Sequence, residues 1–198
     1  MPTGSLQTSG PSQPADGKVY DLASADISFA ARVGQYTTFY ADLVGLTGPT
    51  PDLEVNGLTL LNSYTARLQT QNAVNLREAW IRTELFRQSL AISAGRLDLA
   101  NYFDRNAVAN DETSQFLSDA LVNNPTLGLF SNGAGVSMVF DPKRSMNFKL
   151  GFQQNDQSIL NLSKSIVTLA EVGYFASPFS LPEGNYRIWL RTDNSLGD

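Results

Sequence analysis

The sequence predicts an all-β fold of antiparallel strands, with one face of the sheet apolar and the other polar. Three observations carry this. From Asp26 to Thr192 apolar residues recur with period two, punctuated by turn-forming residues. No stretch approaches the roughly 18 consecutive apolar residues of a membrane helix. Charged residues make up 17% of the 198-residue chain, against about 25% in a soluble domain. Mean hydropathy is nevertheless only −0.17, so Asn, Gln, Ser and Thr carry the polarity. Alternating strands average to such a value whether their apolar face meets a protein core or a bilayer.

In chain order, residues 1–18 are rich in Pro, Gly, Ser and Thr without apolar periodicity, and read as a disordered linker or arm. They hold no positively charged stretch followed by an apolar run, so no secretory signal is expected in them. Residues 19–198 read as one β domain. Segments 27–33, 35–43 and 58–69 are strand candidates with imperfect alternation. Segments 76–86 and 89–97 make a hairpin. Setting Leu85 opposite Leu90 puts Thr83 against Ile92 and Ile81 against Ala94 on one face. Glu84 then meets Ala91, Arg82 meets Ser93 and Trp80 meets Gly95 on the other. Large polar side chains meet small partners, as crowding inside a closed sheet demands. Its turn at Arg87-Gln88 lacks the Gly or Asn that tight hairpins favour.

The longest connection, 98–132, breaks the β pattern. There Asp111 is an N-cap candidate, and Phe116, Leu117, Ala120 and Leu121 fall at helical spacing, which predicts one short helix over 111–122. Segments 135–140 and 146–152 flank Asp141-Pro142 as a second hairpin. With Phe140 opposite Met146, the partners Met138–Phe148 and Val136–Leu150 form an apolar face, while Val139–Asn147 and Ser137–Lys149 form a polar one. Segments 165–176 and 185–192 form the third pair. There Tyr186, Ile188 and Leu190 share one face, and Arg187, Trp189 and Arg191 the other. Short turns follow Phe86, Phe140 and Ala176, and longer connections follow Leu97 and Phe152, the layout of outer-membrane barrels.

The absence of His and Cys excludes Ser-His-Asp and Cys-His catalysis, imidazole or thiolate metal sites, and disulfides. A net charge of −5 argues against nucleic acid as a partner. Alternation alone admits either a soluble β-sandwich, such as a carbohydrate-binding module, or a membrane barrel. Two features incline toward the barrel. The polar faces carry Glu78-x-Trp80-x-Arg82 and Arg187-x-Trp189-x-Arg191, and a bulky Trp suits a wet lumen better than an open solvent face. Aromatics also cluster near strand ends, as Tyr36, Phe39 and Tyr40 and as Tyr174, Phe175, Phe179 and Tyr186, which fits interfacial girdles.

The run from Asn75 to Pro125, NLREAWIRTELFRQSLAISAGRLDLANYFDRNAVANDETSQFLSDALVNNP, resembles the carbohydrate-selective porins of the OprB type. The similarity is greatest to those of cyanobacterial outer membranes that follow a surface-layer-homology region. AEVGY at 170–174 and PEGNYRIWLRT at 182–192 agree, so the resemblance spans roughly 36–192 on several ordered motifs. It implies an outer-membrane β-barrel of about sixteen strands that passes small hydrophilic solutes, usually sugars, by passive diffusion. Outer-membrane lipid and solute are then the partners, a homo-oligomer is compatible, and no cofactor or catalysis is implied. A porin for iron species or general diffusion is the near alternative. Strands of about 9–11 residues plus turns allow roughly eight strands in this length, and an eight-stranded barrel fills its own interior. With no surface-layer-homology segment and no closing aromatic-ended strand, the chain is expected to be a fragment holding about the N-terminal half of a larger porin.

Glu78, Trp80, Arg82, Glu84, Lys149, Arg187, Trp189 and Arg191 share the polar parity and are candidate lumen-lining, substrate-contacting residues. The two Trp would stack on sugar rings, or else fill lumen space or a core. The mixed charges would offer hydrogen bonds to hydroxyls in a weakly ion-selective passage, or else form a ladder of cross-strand ion pairs. Arg96 and Asp98, in GRLDLANYFD, match the family motif and are candidate anchors for the long loop, which would constrict the pore or lie on its rim. Glu78 and Glu84 are roughly 20 Å apart along one extended strand, too far for a glycosidase carboxylate pair. An enzyme is not expected.

Overall fold

The computed structural model describes residues 3–9, 20–47, 73–103, 122, 124, 127, 132–142, 145–155, 165–177, 179 and 183–194. These residues form nine strands: β1 (Thr3–Ser9), β2 (Tyr20–Val33), β3 (Thr37–Thr47), β4 (Ala73–Leu85), β5 (Leu90–Leu97), β6 (Gly133–Phe140), β7 (Met146–Gln154), β8 (Ile166–Ala176) and β9 (Gly184–Asp193). One helical turn, α1 (Ala100–Phe103), follows β5. The strands lie in one sheet in the order of the chain. Sequential order needs only hairpin connections, the cheapest way to join antiparallel strands. No helix among the described residues is long and apolar enough to cross a membrane, which leaves crossing by strands unaddressed.

The chain comprises two compact units. The first holds Met1–Phe29, Ala41–Arg77 and Asp104–Phe130, the second Ala30–Tyr40, Glu78–Phe103 and Ser131–Asp198. In the first, β1 pairs antiparallel with β2 from Thr3↔Asp26 to Ser9↔Tyr20. The sheet thus starts inside the stretch whose composition reads as a linker, because backbone pairing to a neighbouring strand asks little of side-chain propensity. The strand candidate at 58–69 lies outside the described residues. So does the helix expected over 111–122, except for Val122, which is helical.

In the second unit, β4 and β5 pair in the predicted register, with Trp80↔Gly95, Arg82↔Ser93 and Glu84↔Ala91. Without Gly or Asn, the turn holds Phe86, Arg87 and Gln88 successively in the left-handed region, at φ 50°, 56° and 67°. The Ser89 amide donates to the Phe86 carbonyl at 3.2 Å. The β6–β7 register differs from expectation by two residues: Phe140 faces Phe148, Met138 faces Leu150 and Val136 faces Phe152. The connection is longer because the β6 ladder begins at Phe148, while Met146 and Asn147 pair on the other edge of β7 with Tyr174 and Gly173 of β8. A shift of two preserves side-chain parity, so both faces keep their assignment.

Burial separates those faces in the opposite sense to a soluble sheet. On the apolar parity Ile81 is 48% exposed, Phe152 42%, Val172 42% and Ile188 81%. On the polar parity Ser93, Ser137, Gln153 and Glu171 are each 1% exposed. A sandwich would bury the first set against a second sheet, and here all nine strands belong to one sheet. The small apolar core lies on the polar side. It comprises Leu97, Val167 and Leu169 of the wall, and Leu99 and Phe103 of the segment after β5, all essentially fully buried.

Candidate functional site

The ladders of the second unit bring all eight predicted lumen residues to one face. Trp80, Arg82 and Glu84 stand opposite Gly95, Ser93 and Ala91 of β5. Ala91, Ser93 and Gly95 in turn face Val139, Ser137 and Gly135 of β6. Val139 pairs with Lys149, Lys149 with Glu171, and Glu171 with Trp189. Arg187 lies opposite Gly173 and Arg191 opposite Leu169. Glu78 precedes Trp80 on the same parity of β4.

The face is covered rather than open. After β5 the chain folds across it, and Asp98 starts this segment by accepting a hydrogen bond from the Ala100 amide at 3.0 Å, as an N-cap does. The Leu99 amide donates to Gln153 Oε1 at 2.8 Å, and Asn101 Nδ2 to Glu78 Oε1 at 3.0 Å. Lys149 Nζ donates to the Tyr102 carbonyl at 2.9 Å and lies 5.9 Å from the centre of the Phe103 ring. Small residues make the room. A Cβ on Gly151 would stand 2.8 Å from both Leu99 Cδ2 and Phe103 Cε2. At Gly95, held at φ +142°, a Cβ would overlap the Ala79 carbonyl. Burial pushes the Tyr102 phenol above its usual range, outweighing a hydrogen bond with Ser93, so it remains neutral against the wall.

Two polar clusters result. In the first, Glu78 is 6% exposed and its Oε2 accepts the Trp80 indole N–H at 2.9 Å. The Tyr40 ring stacks on Trp80 with centroids 5.0 Å apart. In the second, Lys149 Nζ is 2.8 Å from Glu171 Oε1 and Arg187 Nη1 is 3.9 Å from Glu171 Oε2. Arg191 pairs with Asp193 at 2.9 Å, and Arg82 with Glu84 at 3.4 Å. In the first unit, taken by itself, Arg77 pairs with the buried Asp42.

The two expected loop anchors separate. Asp98 is buried and caps the segment it precedes. Arg96 takes the outward parity of β5, opposite Ala79 and Ala134. Sequence reasoning overlooked Glu171, Gln153, Asn101 and Tyr102. Glu171 alternates with Val167 and Leu169 on its face of β8, so the sequence of that face does not read as polar, and all three are buried in the structure.

No family model matches the chain. Over 65 residues it is 38% identical to an uncharacterized protein of Aquifex aeolicus (strain VF5), an alignment covering 33% of this chain and 21% of that protein. Among solved structures it is similar to the high-pH structure of Pseudomonas putida OprB, with a TM-score of 0.62 over 95% of this chain, at 13% identity. The chain spans about half that structure's length, 49%. Likeness at this identity is one of fold, and the fold is the antiparallel β-barrel of porin type.

Proposed function

We propose that this chain forms part of the wall of an outer-membrane porin, through which small hydrophilic solutes, carbohydrates foremost, diffuse passively. The observation that carries the reading is the inverted burial: apolar side chains outward, and hydrogen-bonding and charged ones inward. Such a surface is costly in water, where large contiguous apolar patches are avoided. It is suited to lipid, which accepts an apolar band while antiparallel pairing satisfies the backbone. The inward-facing Glu78, Trp80, Arg82, Glu84, Lys149, Arg187, Trp189 and Arg191 line the passage, and residues 98–103 narrow it. Mixed charge offers hydrogen bonds to hydroxyl groups without a ring of one sign. No step of this process needs a nucleophile or a metal. The test is reconstitution of the complete reading-frame product into liposomes loaded with an impermeant polymer. Swelling in monosaccharides that diminishes with larger oligosaccharides is expected. Correctly inserted protein that admits no monosaccharide would refute the reading.

A further inference from the structure

On β9, Arg187, Trp189 and Arg191 project from the inward face in sequence, at a spacing of about 7 Å between successive same-face residues. The charges behind them are arranged unequally. Glu171, opposite Trp189, has a side chain 0% exposed, and its nearer cation is Lys149 at 2.8 Å, with Arg187 at 3.9 Å. Asp193 is 5% exposed beneath Arg191. The bases remain reachable: Lys149 is 16% exposed, Arg187 27% and Arg191 24%. Three basic side chains, Lys149, Arg187 and Arg191, thus stand close together on this face beside the two covered acids. The acids are covered, while the two arginine side chains on the same face keep about a quarter of their surface exposed. The other tryptophan is differently engaged, since the Trp80 indole stacks on Tyr40 and gives its N–H to Glu78.

We propose that the Arg187–Trp189–Arg191 face of β9 is a binding site for sugar acids, monosaccharides bearing a carboxylate. The guanidinium edges take the carboxylate, where planar forked donors match its two oxygens. The Trp189 ring takes the C–H face of the pyranose. This deepens the channel reading of the preceding subsection and rests on it for the route by which solute reaches β9. A neutral hexose keeps the stacking but forgoes the charge-assisted hydrogen bonds, so the site prefers the acid.

The chain has two tryptophans, so Trp80→Phe leaves Trp189 as its one indole reporter, and the Trp80→Phe/Trp189→Phe protein supplies the background to be subtracted. The whole protein, folded in detergent micelles, is titrated with glucuronate and with glucose. Trp189 fluorescence should respond saturably to glucuronate at concentrations about ten-fold below those needed for glucose. The difference should shrink as salt is raised. Arg187→Gln with Arg191→Gln should reduce the ratio to about one, and a protein carrying Trp189→Phe with Trp80 retained should lose the response. Equal responses to the two sugars, or none from protein whose circular dichroism shows the intact sheet, would overturn the proposal. Planar-bilayer conductance separates the two readings. Glucuronate binding without any conductance supports this site and counts against the channel, whereas conductance with no preference for glucuronate counts against this site alone.

Discussion

Single residues on the inward face are held by charge pairing at low exposure, where removing one partner is costly. Glu171 is buried, and Lys149 is its close cation at 2.8 Å. Lys149→Met should therefore destabilise the fold by about 1–3 kcal/mol, because the buried carboxylate then keeps only Arg187, at 3.9 Å. Adding Glu171→Gln to it should recover most of that loss. Urea titrations of the refolded single and double variants measure the difference, and an equal loss in both would show that the pair does not matter. The turn after β4 presents the opposite case, strain without a partner. Phe86, Arg87 and Gln88 all sit at positive φ, which costs a residue with a side chain roughly 1 kcal/mol. Gln88→Gly should stabilise the hairpin by up to about 1 kcal/mol. The lack of Gly and Asn weakened the sequence's indication of this turn, yet Leu85 pairs with Leu90 as the alternation of the two strands predicts.

At the scale of elements, the hairpins were legible because each strand's alternation specifies which face it buries. The β4–β5 register follows from matching Trp80 to Gly95 and Arg82 to Ser93. The β6–β7 register escaped by two residues, since parity says nothing about shifts that preserve it. The segment over 98–103 was not legible as a cover. Its docking depends on a hollow that only neighbouring strands create, with Gly151 receiving Leu99 and Phe103. Gly151→Val should displace those side chains at a cost of about 1–3 kcal/mol. It should also loosen residues 98–103, measured as faster proteolysis in that segment while the strands stay resistant. Unchanged cleavage would mean that the segment does not seat on Gly151.

For the molecule as a whole, the proposed porin role turns on which face would meet lipid. Phe148 is 41% exposed on the outward parity, and the adjacent Asn147 is 8% exposed on the inward one. Phe148→Asp should block or markedly slow assembly into vesicles, since an ionised group on the lipid face costs up to a few kcal/mol depending on depth. Val139→Asp, inward and opposite Lys149, should assemble at close to the parental rate, its carboxylate having a cation beside it. Equal behaviour of the two in a vesicle-insertion assay would reject the assignment of faces. The sequence by itself determined the β class, the hairpins and the two-sided character of each strand, because period two is a local property of the chain. It also placed all eight candidate residues on one parity. What it left open was the direction of that parity, since a sandwich and a barrel share the same alternation. Only the tertiary structure decided it, by setting the nine strands of the described residues in one sheet, with no second sheet among those residues to bury the apolar face. That arrangement buried Glu171 beside Lys149 and Gln153 against Leu99 while leaving Phe152 and Ile188 exposed, because burial is a property of what packs on a face.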